Sequence, residues 1–321
     1  MKNKIKVICT LGPSTLNRRF LKFSENNIDL LRLNMSHLSV ANLRKNIKYI
    51  QQYTSTPICI DTEGAQIRTK VLKTKSFKFG DRVKIYKNLS NFKLYPEKTF
   101  HQLKKKDILN VGFDNLRLKI ISKSLKEIVC KVVSPGKLES NKGVHLENRK
   151  IKLDYLTSKD HQAIEIGKKF NIKYFALSFS NSVSDIKNFN NLLQNKKRIF
   201  KIETMNAVND FDKMIKEGNM FLIDRGDLSK ETKIEFIPLI QRKLFKIKKK
   251  FKNEKKIFVA TNLLESMIKN YSPTRGEAND IYSSIEMGAS GLVLAAETAI
   301  GKHPINSVKF LRKIIRIFNN R

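Results

Sequence analysis

The chain has 321 residues, 40% of them hydrophobic, so it can form one large domain with an insertion or two ordinary domains. Lysine and arginine total 64 against 29 acidic residues, which gives a formal net charge of +35. Because the lysines are spread along the chain without a nucleic-acid motif, we interpret them as solvated surface and expect no specific nucleic-acid binding. No apolar run reaches the ~18 residues that a membrane span needs, so we expect no membrane association.

The cysteines and the N-terminus both indicate a reducing compartment. Cys9, Cys59 and Cys130 lack the CxxC spacing of metal or redox motifs, and we expect them to be core residues. The first residues, MKNKIKVICTLG, pass from lysine directly into a strand-like run that is too short and too polar for a signal peptide. We therefore expect a cytoplasmic protein.

Short apolar runs alternate with amphipathic, helix-compatible segments along most of the chain. Continuous apolar runs of this length suit strands that are buried on both faces of a parallel sheet. There are eight such runs, at 5–12, 29–37, 57–64, 174–180, 198–204, 220–227, 256–262 and 291–298. Eight β/α units predict a TIM (β/α)8 barrel.

More than a hundred residues separate the third run from the fourth. Segments 77–86, 116–122 and 127–136 in this gap alternate with period two between Gly, Pro and Asn, which predicts a small β domain. We place the first part of the barrel at 1–69, the inserted β domain at 70–143, and the remainder of the barrel at 144–321.

Polar residues cluster at the C-terminal ends of the eight runs, the face where TIM barrels carry their active sites. Glu203 and Asp227 follow two successive strands, and two carboxylates with open positions favour Mg²⁺ or Mn²⁺. Lys201 lies two residues before Glu203, so both side chains face the same side of the strand. A structural ion pair is the alternative interpretation, although buried pairs stabilise poorly.

Further polar residues end the second, third and seventh strands. Arg32 and Arg68 have guanidinium groups suited to carboxylate or phosphate, and Thr261 ends the seventh strand. A second cluster of oxygen ligands with a single negative charge suits a monovalent cation. It comprises Asn34, Ser36, Asp61 and Thr62.

Taken together, the motifs resemble those of the pyruvate kinase family, in that family's order. They are CTLGPST, LRLNMSH, DTEGAQIRT, FKIET, RGDL, ATNLLESMI, PTRGEANDI and AAETAIGKHP. The resemblance implies a TIM barrel with a small β-barrel lid domain inserted after strand 3. The family normally carries a further C-terminal α/β regulatory domain. Because the chain stops at Arg321, we expect that domain and its allosteric control to be absent.

The resemblance also implies a glycolytic kinase that transfers a phosphoryl group from phosphoenolpyruvate to ADP, giving pyruvate and ATP. In such an enzyme Glu203 and Asp227 would bind Mg²⁺ or Mn²⁺. Lys201 and Arg32 would stabilise the transferring phosphoryl group, and Thr261 would lie beside the enolate.

The remaining roles that the resemblance implies concern substrate, nucleotide and potassium. Substrate would contact Arg225, Gly226, Asp227, Thr261 and Ser178. The nucleotide would contact Arg32, Arg68, His37, Pro13 and Lys142. K⁺ would be held by Asn34, Ser36, Asp61 and Thr62.

Several positions depart from the family's pattern. Gln66 replaces a glutamate that helps to set the charge beside the potassium site, and Asn262 replaces a glutamine. Ala295 lacks the hydroxyl of a serine assigned to proton delivery. The stretch IDRGDLSKE replaces VARGDLGVE, so that Asp224 and Ser229 stand where the family has small residues.

Asp224 is the departure with the clearest physical consequence, because the backbone of this loop would hold the substrate carboxylate. Two like charges at ~4 Å cost about 1 kcal/mol in water and more in a partly dry site. If the side chain faces the site, we expect Asp224→Ala to tighten phosphoenolpyruvate binding. If it points away and pairs with a lysine, we expect no effect.

Three hypotheses follow. The chain is a working pyruvate kinase, a divergent enzyme that applies the same metal–enolate chemistry to a different substrate or acceptor, or a non-catalytic binding protein on the same fold. The last would show no metal-dependent thermal shift, whereas a ligand at 100 times its Kd adds about 2.7 kcal/mol to the free energy of unfolding.

We expect a monomer or a barrel-to-barrel homodimer.

Overall fold

The computed structural model describes residues 4–88, 91–112, 116–147, 149, 151–251 and 254–320. It divides into two compact units, and each is described by itself. The first unit is Met1–Gly64 with Ser158–Arg321, and the second is Ala65–Thr157.

The first unit begins with three strands and two helices. They are β1 (Lys6–Thr10), α1 (Arg18–Asn27), β2 (Leu30–Asn34), α2 (Val40–Tyr53) and β3 (Ile58–Asp61). Both helices begin at a polar cap. The Asn17 side chain accepts the Phe20 N–H, and the Ser39 side chain accepts the Asn42 N–H. Each cap satisfies a backbone donor that the first helical turn leaves unpaired.

The second unit contains nine strands and one short helix among its described residues. They are β4 (Ile67–Val71), β5 (Lys75–Phe77), β6 (Arg82–Tyr86), β7 (Phe92–Tyr95), α3 (Lys98–Gln102), β8 (Ile108–Val111), β9 (Leu116–Lys123), β10 (Glu127–Ser134), β11 (Gly136–Leu138) and β12 (Gly143–Leu146). Seven strands form an antiparallel, barrel-like sheet in the order β6-β10-β9-β8-β12-β4-β7, and β11 pairs with β5. Alternate residues of β9 and β10 are buried, as the period-two pattern predicts.

The chain then returns to the first unit. Its elements are α4 (Ser158–Lys169), β13 (Tyr174–Leu177), α5 (Val183–Leu192), β14 (Lys197–Ile202), α6 (Met205–Asn209), α7 (Phe211–Glu217), β15 (Met220–Asp224), α8 (Arg225–Leu228), α9 (Ile237–Lys249), β16 (Lys256–Ala260), α10 (Arg275–Glu286), β17 (Gly291–Leu294), α11 (Ala296–Ala299) and α12 (Pro304–Asn319). Short 3₁₀ turns cover Ile234–Phe236 and Glu265–Ile268.

Eight parallel strands of the first unit close into a barrel, in the order β1-β17-β16-β15-β14-β13-β3-β2. Each of the eight apolar runs supplies one of these strands, so the predicted TIM barrel is confirmed. Inward-facing side chains such as Ile8, Ala176, Leu222 and Val293 fill the interior as one buried cluster. The barrel is therefore a packed core whose polar residues are confined to its ends.

The inserted unit starts earlier and ends later than the pattern of the sequence indicated. The predicted insertion was 70–143, whereas the second compact unit is Ala65–Thr157. The reason is strand pairing. Val144 lies opposite Ile67, and β4 also pairs with β7, so residues on both sides of the predicted boundaries belong to one sheet.

The three cysteines lie in the core, as the sequence predicts. Cys9, Cys59 and Cys130 are buried and unpaired, and burial raises the pKa of the Cys130 thiol to about 12. Among the described residues, no helix is both long and apolar enough to cross a membrane.

A partly buried aspartate ties the start of the barrel to its last helix. Asp29 Oδ2 accepts the Val7 N–H at 2.9 Å and an Arg312 N–H at 2.8 Å, while Lys4 Nζ lies 2.8 Å from Oδ1. Burial opposes ionisation, but the Lys4 and Val7 hydrogen bonds and the Arg312 charge outweigh it and hold the pKa of Asp29 below its ordinary value. The ionised carboxylate therefore stabilises the fold.

We predict that Asp29→Asn lowers the melting temperature at pH 7. Because the folded pKa is depressed, the stabilisation is present above the unfolded pKa of about 3.9 and is lost as pH falls through the folded pKa. After allowance for the exposed Lys4 partner, the loss at pH 7 is about 1 kcal/mol. Thermal melts from pH 7 to 3 measure it.

The control is Asp212→Asn, which makes the same charge change at an exposed position. The melting temperatures of Asp29→Asn and wild type should converge below pH 4. A difference in melting temperature that persists there would contradict this explanation.

Candidate active site

A lysine at the C-terminal end of β14 is enclosed by acidic groups. Lys201 Nζ lies 2.9 Å from Glu203 Oε1, 3.3 Å from Asp61 Oδ2 and 3.7 Å from Asp224 Oδ2. It also donates to Ser178 Oγ at 3.1 Å. Burial alone would lower the pKa of Lys201, but the charges of Asp61, Glu203 and Asp224 outweigh burial and raise it. The side chain is therefore a fixed, buried ammonium.

Three carboxylates from β14, β15 and the following turn converge beside this lysine. One oxygen each from Glu203, Asp224 and Asp227 lies within 4.8 Å of the others. Glu203 Oε2 accepts the Phe179 N–H at 2.6 Å, while the buried Oε1 lies 2.9 Å from the Lys201 ammonium. An all-oxygen donor set of three converging carboxylates fits a divalent cation of the Mg²⁺ or Mn²⁺ type.

The pKa values of these carboxyls differ because their surroundings differ. Burial raises the pKa of Glu203 to about 8, against the opposing charge of Lys201. Burial and then the charge of Asp227 raise the pKa of Asp224. Burial would also raise the pKa of Asp227, but Lys230 and Lys201 hold it below its ordinary value. Ionising the whole cluster therefore requires more positive charge than Lys201 supplies.

Asp224 faces the site. The residue is 5% exposed, and Oδ1 accepts the Asp227 N–H at 3.5 Å. The alternative, in which the side chain points away toward a surface lysine, is wrong, because strand alternation from the inward-facing Leu222 directs Asp224 into the barrel.

The loop after β15 is held by the end of β16. Thr261 Oγ1 accepts the Gly226 N–H at 2.8 Å, and the Thr261 carbonyl accepts two N–H groups of Arg225. Asp280 holds Arg225 through two further bonds of 2.8 and 2.9 Å. Thr261 has a φ of +69°, which is strained for a β-branched residue, and this network keeps it there.

Arg32 reaches the same end of the barrel from β2. It is 5% exposed, its Nε donates to Thr10 Oγ1 at 2.9 Å, and its Nη1 lies 3.4 Å from Asp61 Oδ2. Nη1 is buried and makes no hydrogen bond within the described part of the chain. A buried guanidinium with an unused donor suits an anion.

The four residues predicted to hold a monovalent cation lie at the ends of β2 and β3. Asn34 Oδ1 accepts the Ser36 N–H at 2.9 Å, and Thr62 Oγ1 accepts the Ser178 N–H at 3.0 Å. Asp61 is fully buried, and its Oδ1 accepts the Ser178 hydroxyl at 3.2 Å.

The residues predicted to contact nucleotide are divided between the two units. Pro13 and His37 are exposed in the turns after β1 and β2. Arg68 lies in β4, opposite Gly143 of β12, and Lys142 Nζ forms a 2.9 Å ion pair with Glu139.

Three charged residues of the site's surroundings were missed by the sequence interpretation. Lys230 Nζ lies 2.5 Å from Asp227 Oδ1, and its position three residues further along a helical turn is a signal that the sequence does carry. Asp280 and Lys159 are different. Lys159 contacts Glu63 at 2.8 Å and the Met35 carbonyl across long stretches of chain, and no local pattern marks such pairs.

Comparison with known proteins gives a consistent result. The family model for the pyruvate kinase barrel domain matches residues 2–308. Pyruvate kinase of Geobacillus stearothermophilus is 31% identical over 98% of this chain and 57% of its own length. The pyruvate kinases of Corynebacterium efficiens and Thermotoga maritima are each 29% identical, over 98% and 97% of this chain and 70% of their own lengths. The chain thus spans 57–70% of these relatives.

Proposed function

The chain belongs to the pyruvate kinase family, and we propose that it transfers the phosphoryl group of phosphoenolpyruvate to ADP in a metal-dependent reaction. The observation that carries this proposal is the buried ammonium of Lys201, 2.9 Å from Glu203, at the same end of the barrel as Arg32. Two buried cations beside a carboxylate cluster suit a transferring phosphoryl group, whose charge spreads over its oxygens.

In the proposed reaction, the bond from phosphorus to the enol oxygen breaks and a bond to a terminal ADP oxygen forms. Lys201 and Arg32 stabilise the negative charge on the phosphoryl oxygens as it passes between the two. A divalent cation bound by Glu203 and Asp227 would supply further charge neutralisation. Thr261 lies beside the enolate that is left, which takes up a proton at carbon to give pyruvate.

We assign the other predicted residues to binding. The proposed substrate contacts are Arg225, Gly226, Asp227, Thr261 and Ser178. The proposed nucleotide contacts are Arg32, Arg68, His37, Pro13 and Lys142. The proposed K⁺ ligands are Asn34, Ser36, Asp61 and Thr62. Arg225 and Gly226 also shape the loop that they contribute to the site, since their donors bind Asp280 and Thr261.

We predict that Lys201→Met lowers the rate of pyruvate formation from phosphoenolpyruvate and ADP by about 10²- to 10³-fold, because one preorganised charge is removed from the transition state. A lactate dehydrogenase-coupled assay with Mg²⁺ measures it. Lys255→Met is the matched control, since Lys255 is also buried but binds Gly218 and Asn219 at the opposite end of the barrel. Wild-type turnover no faster than that of Lys201→Met would refute the proposal.

We predict that replacing K⁺ by tetramethylammonium lowers turnover. Ser36→Ala should raise the K⁺ concentration for half-maximal rate, because one neutral oxygen ligand is lost, while the Mn²⁺ affinity stays unchanged. An equal rate in both salts would remove the potassium assignment and leave the phosphoryl transfer intact.

We predict that Asp224→Ala tightens phosphoenolpyruvate binding at saturating Mg²⁺, because a buried negative charge is removed from a site for anions. Relief of about 1 kcal/mol corresponds to about fivefold in affinity. Fluorescence titration measures it, with Asp212→Ala as the control for lost surface charge. Weaker binding would show that Asp224 does not repel the substrate.

A second candidate function is the same metal-assisted chemistry on a different substrate or acceptor. Asp224 favours it, because its carboxylate lies on the Asp227 amide of the loop proposed for substrate. Screening phosphoenolpyruvate with other nucleoside diphosphates and small alcohols tests it, and a clear preference for ADP would eliminate the alternative acceptor.

A further inference from the structure

The carboxylate of Asp224 is buried, and its contacts with positive and N–H groups of the described residues are long. The residue is 5% exposed, yet Lys201 Nζ is 3.7 Å from Oδ2 and the Asp227 N–H is bound at 3.5 Å. Lys201 lies closer to both Glu203 and Asp61 than to Asp224. A buried carboxylate that is paired only at these lengths lacks most of the compensation that burial requires. The position therefore calls for another cation.

The surrounding oxygens are spaced for that cation. One oxygen from each of Glu203, Asp224 and Asp227 lies within 4.8 Å of the other two. Opposite ligands of an octahedral Mg²⁺ are about 4.2 Å apart, because each Mg–O distance is about 2.1 Å. Neighbouring ligands in that shell are about 3.0 Å apart, and among three ligands at least two pairs are neighbours. The oxygen–oxygen separations must therefore shorten by up to about 2 Å, which rotation of these side chains can supply. The under-partnered member of this cluster is Asp224, which is buried and directed inward while its contacts to the Asp227 N–H and Lys201 Nζ are 3.5 and 3.7 Å long.

Lys230 limits the availability of Asp227 as a metal ligand. Its Nζ lies 2.5 Å from Asp227 Oδ1, so a cation from the chain itself already occupies that oxygen. Glu203 also has a cation beside it, since Lys201 Nζ lies 2.9 Å from Oε1, and its Oε2 accepts the Phe179 N–H. Asp224 thus adds a carboxylate to the same cluster in which Lys230 neutralises one.

We propose that Asp224 is a third carboxylate ligand of the divalent-metal site, beside Glu203 and Asp227, and that Lys230 competes with the metal for Asp227. The inference deepens the proposed function and rests on its metal requirement. Four carboxylates at this end of the barrel, with Asp61, face three cations, Arg32, Lys201 and Lys230. With all four carboxylates ionised, as metal coordination requires, their net charge with the three cations is −1. A bound divalent ion turns it into +1, which then attracts an anionic substrate.

Mn²⁺ alone is the probe, because its free aquo ion is counted directly by electron paramagnetic resonance. Metal-stripped wild type, Asp224→Ala, Asp224→Asn, Lys230→Met and the double variant Asp224→Ala/Lys230→Met are each titrated without substrate. We expect Asp224→Ala to raise the Mn²⁺ Kd at least tenfold and Asp224→Asn to recover part of the loss. Lys230→Met should lower the Kd, with a larger effect in the Asp224→Ala background, where the metal depends more on Asp227.

Direct ligation is separated from a through-space charge effect by counting the waters on bound Mn²⁺. Each carboxylate ligand displaces one water, so water-proton relaxation should give one more water in Asp224→Ala than in wild type. A through-space effect would lower affinity and leave the hydration number unchanged. That result, or a Kd within twofold of wild type, would overturn the proposal.

Controls separate metal binding from folding and from turnover. Asp212→Ala removes an exposed carboxylate and should match wild type, and Glu203→Gln should lose Mn²⁺ binding. In thermal melts, Mn²⁺ should raise the melting temperature of wild type more than that of Asp224→Ala, which a purely structural role would not produce. If Asp224-dependent Mn²⁺ binding is found without phosphoenolpyruvate turnover, the proposed function fails and this inference stands. The converse result refutes the inference alone.

Discussion

The buried ammonium of Lys201 is the interaction on which the end of the barrel depends. A lone charge in such a place costs several kcal/mol, and the carboxylates of Asp61, Glu203 and Asp224 offset that cost. Asp61 is 140 positions away in sequence, so only closure of the barrel brings it to Lys201. The fold and the charge cluster therefore require one another, since neither the lysine nor the acids could be buried separately.

Three residues near the charge cluster have strained backbone conformations. Phe179, Thr261 and Asn262, which follow β13 and β16, all have positive φ, a region that costs roughly 1–2 kcal/mol per non-glycine residue. At Thr261 the hydroxyl and the carbonyl are both bound, by Gly226 and Arg225, so the strained backbone is fixed from two sides. Strain that is held in this way keeps the loop after β15 in a single position.

Local regularities determine how much the sequence could predict. The eight strands and the placement of Lys201 beside Glu203 follow from apolar runs and period-two alternation, which are local properties. The same alternation, continued from Leu222, also predicts an inward Asp224. The Asp280–Arg225 pair joins residues 55 positions apart, and the limits of the inserted unit depend on pairing between β4 and β12. Such residues become neighbours only when the chain folds, and no local sequence pattern predicts their pairing.

The surface of the protein is positively charged, whereas the charge cluster at the end of the barrel is acidic. The two therefore act on an anionic substrate in opposite ways. A net charge of +35 draws anions toward the surface, but salt screens that field within about 8–10 Å. Inside the barrel the excess is acidic, and in a partly dry site each unpaired carboxylate repels an approaching anion more strongly than it would in water. In the proposed metal site, a cation that joins Glu203, Asp224 and Asp227 removes this repulsion. We therefore propose that metal binds before the anionic substrate.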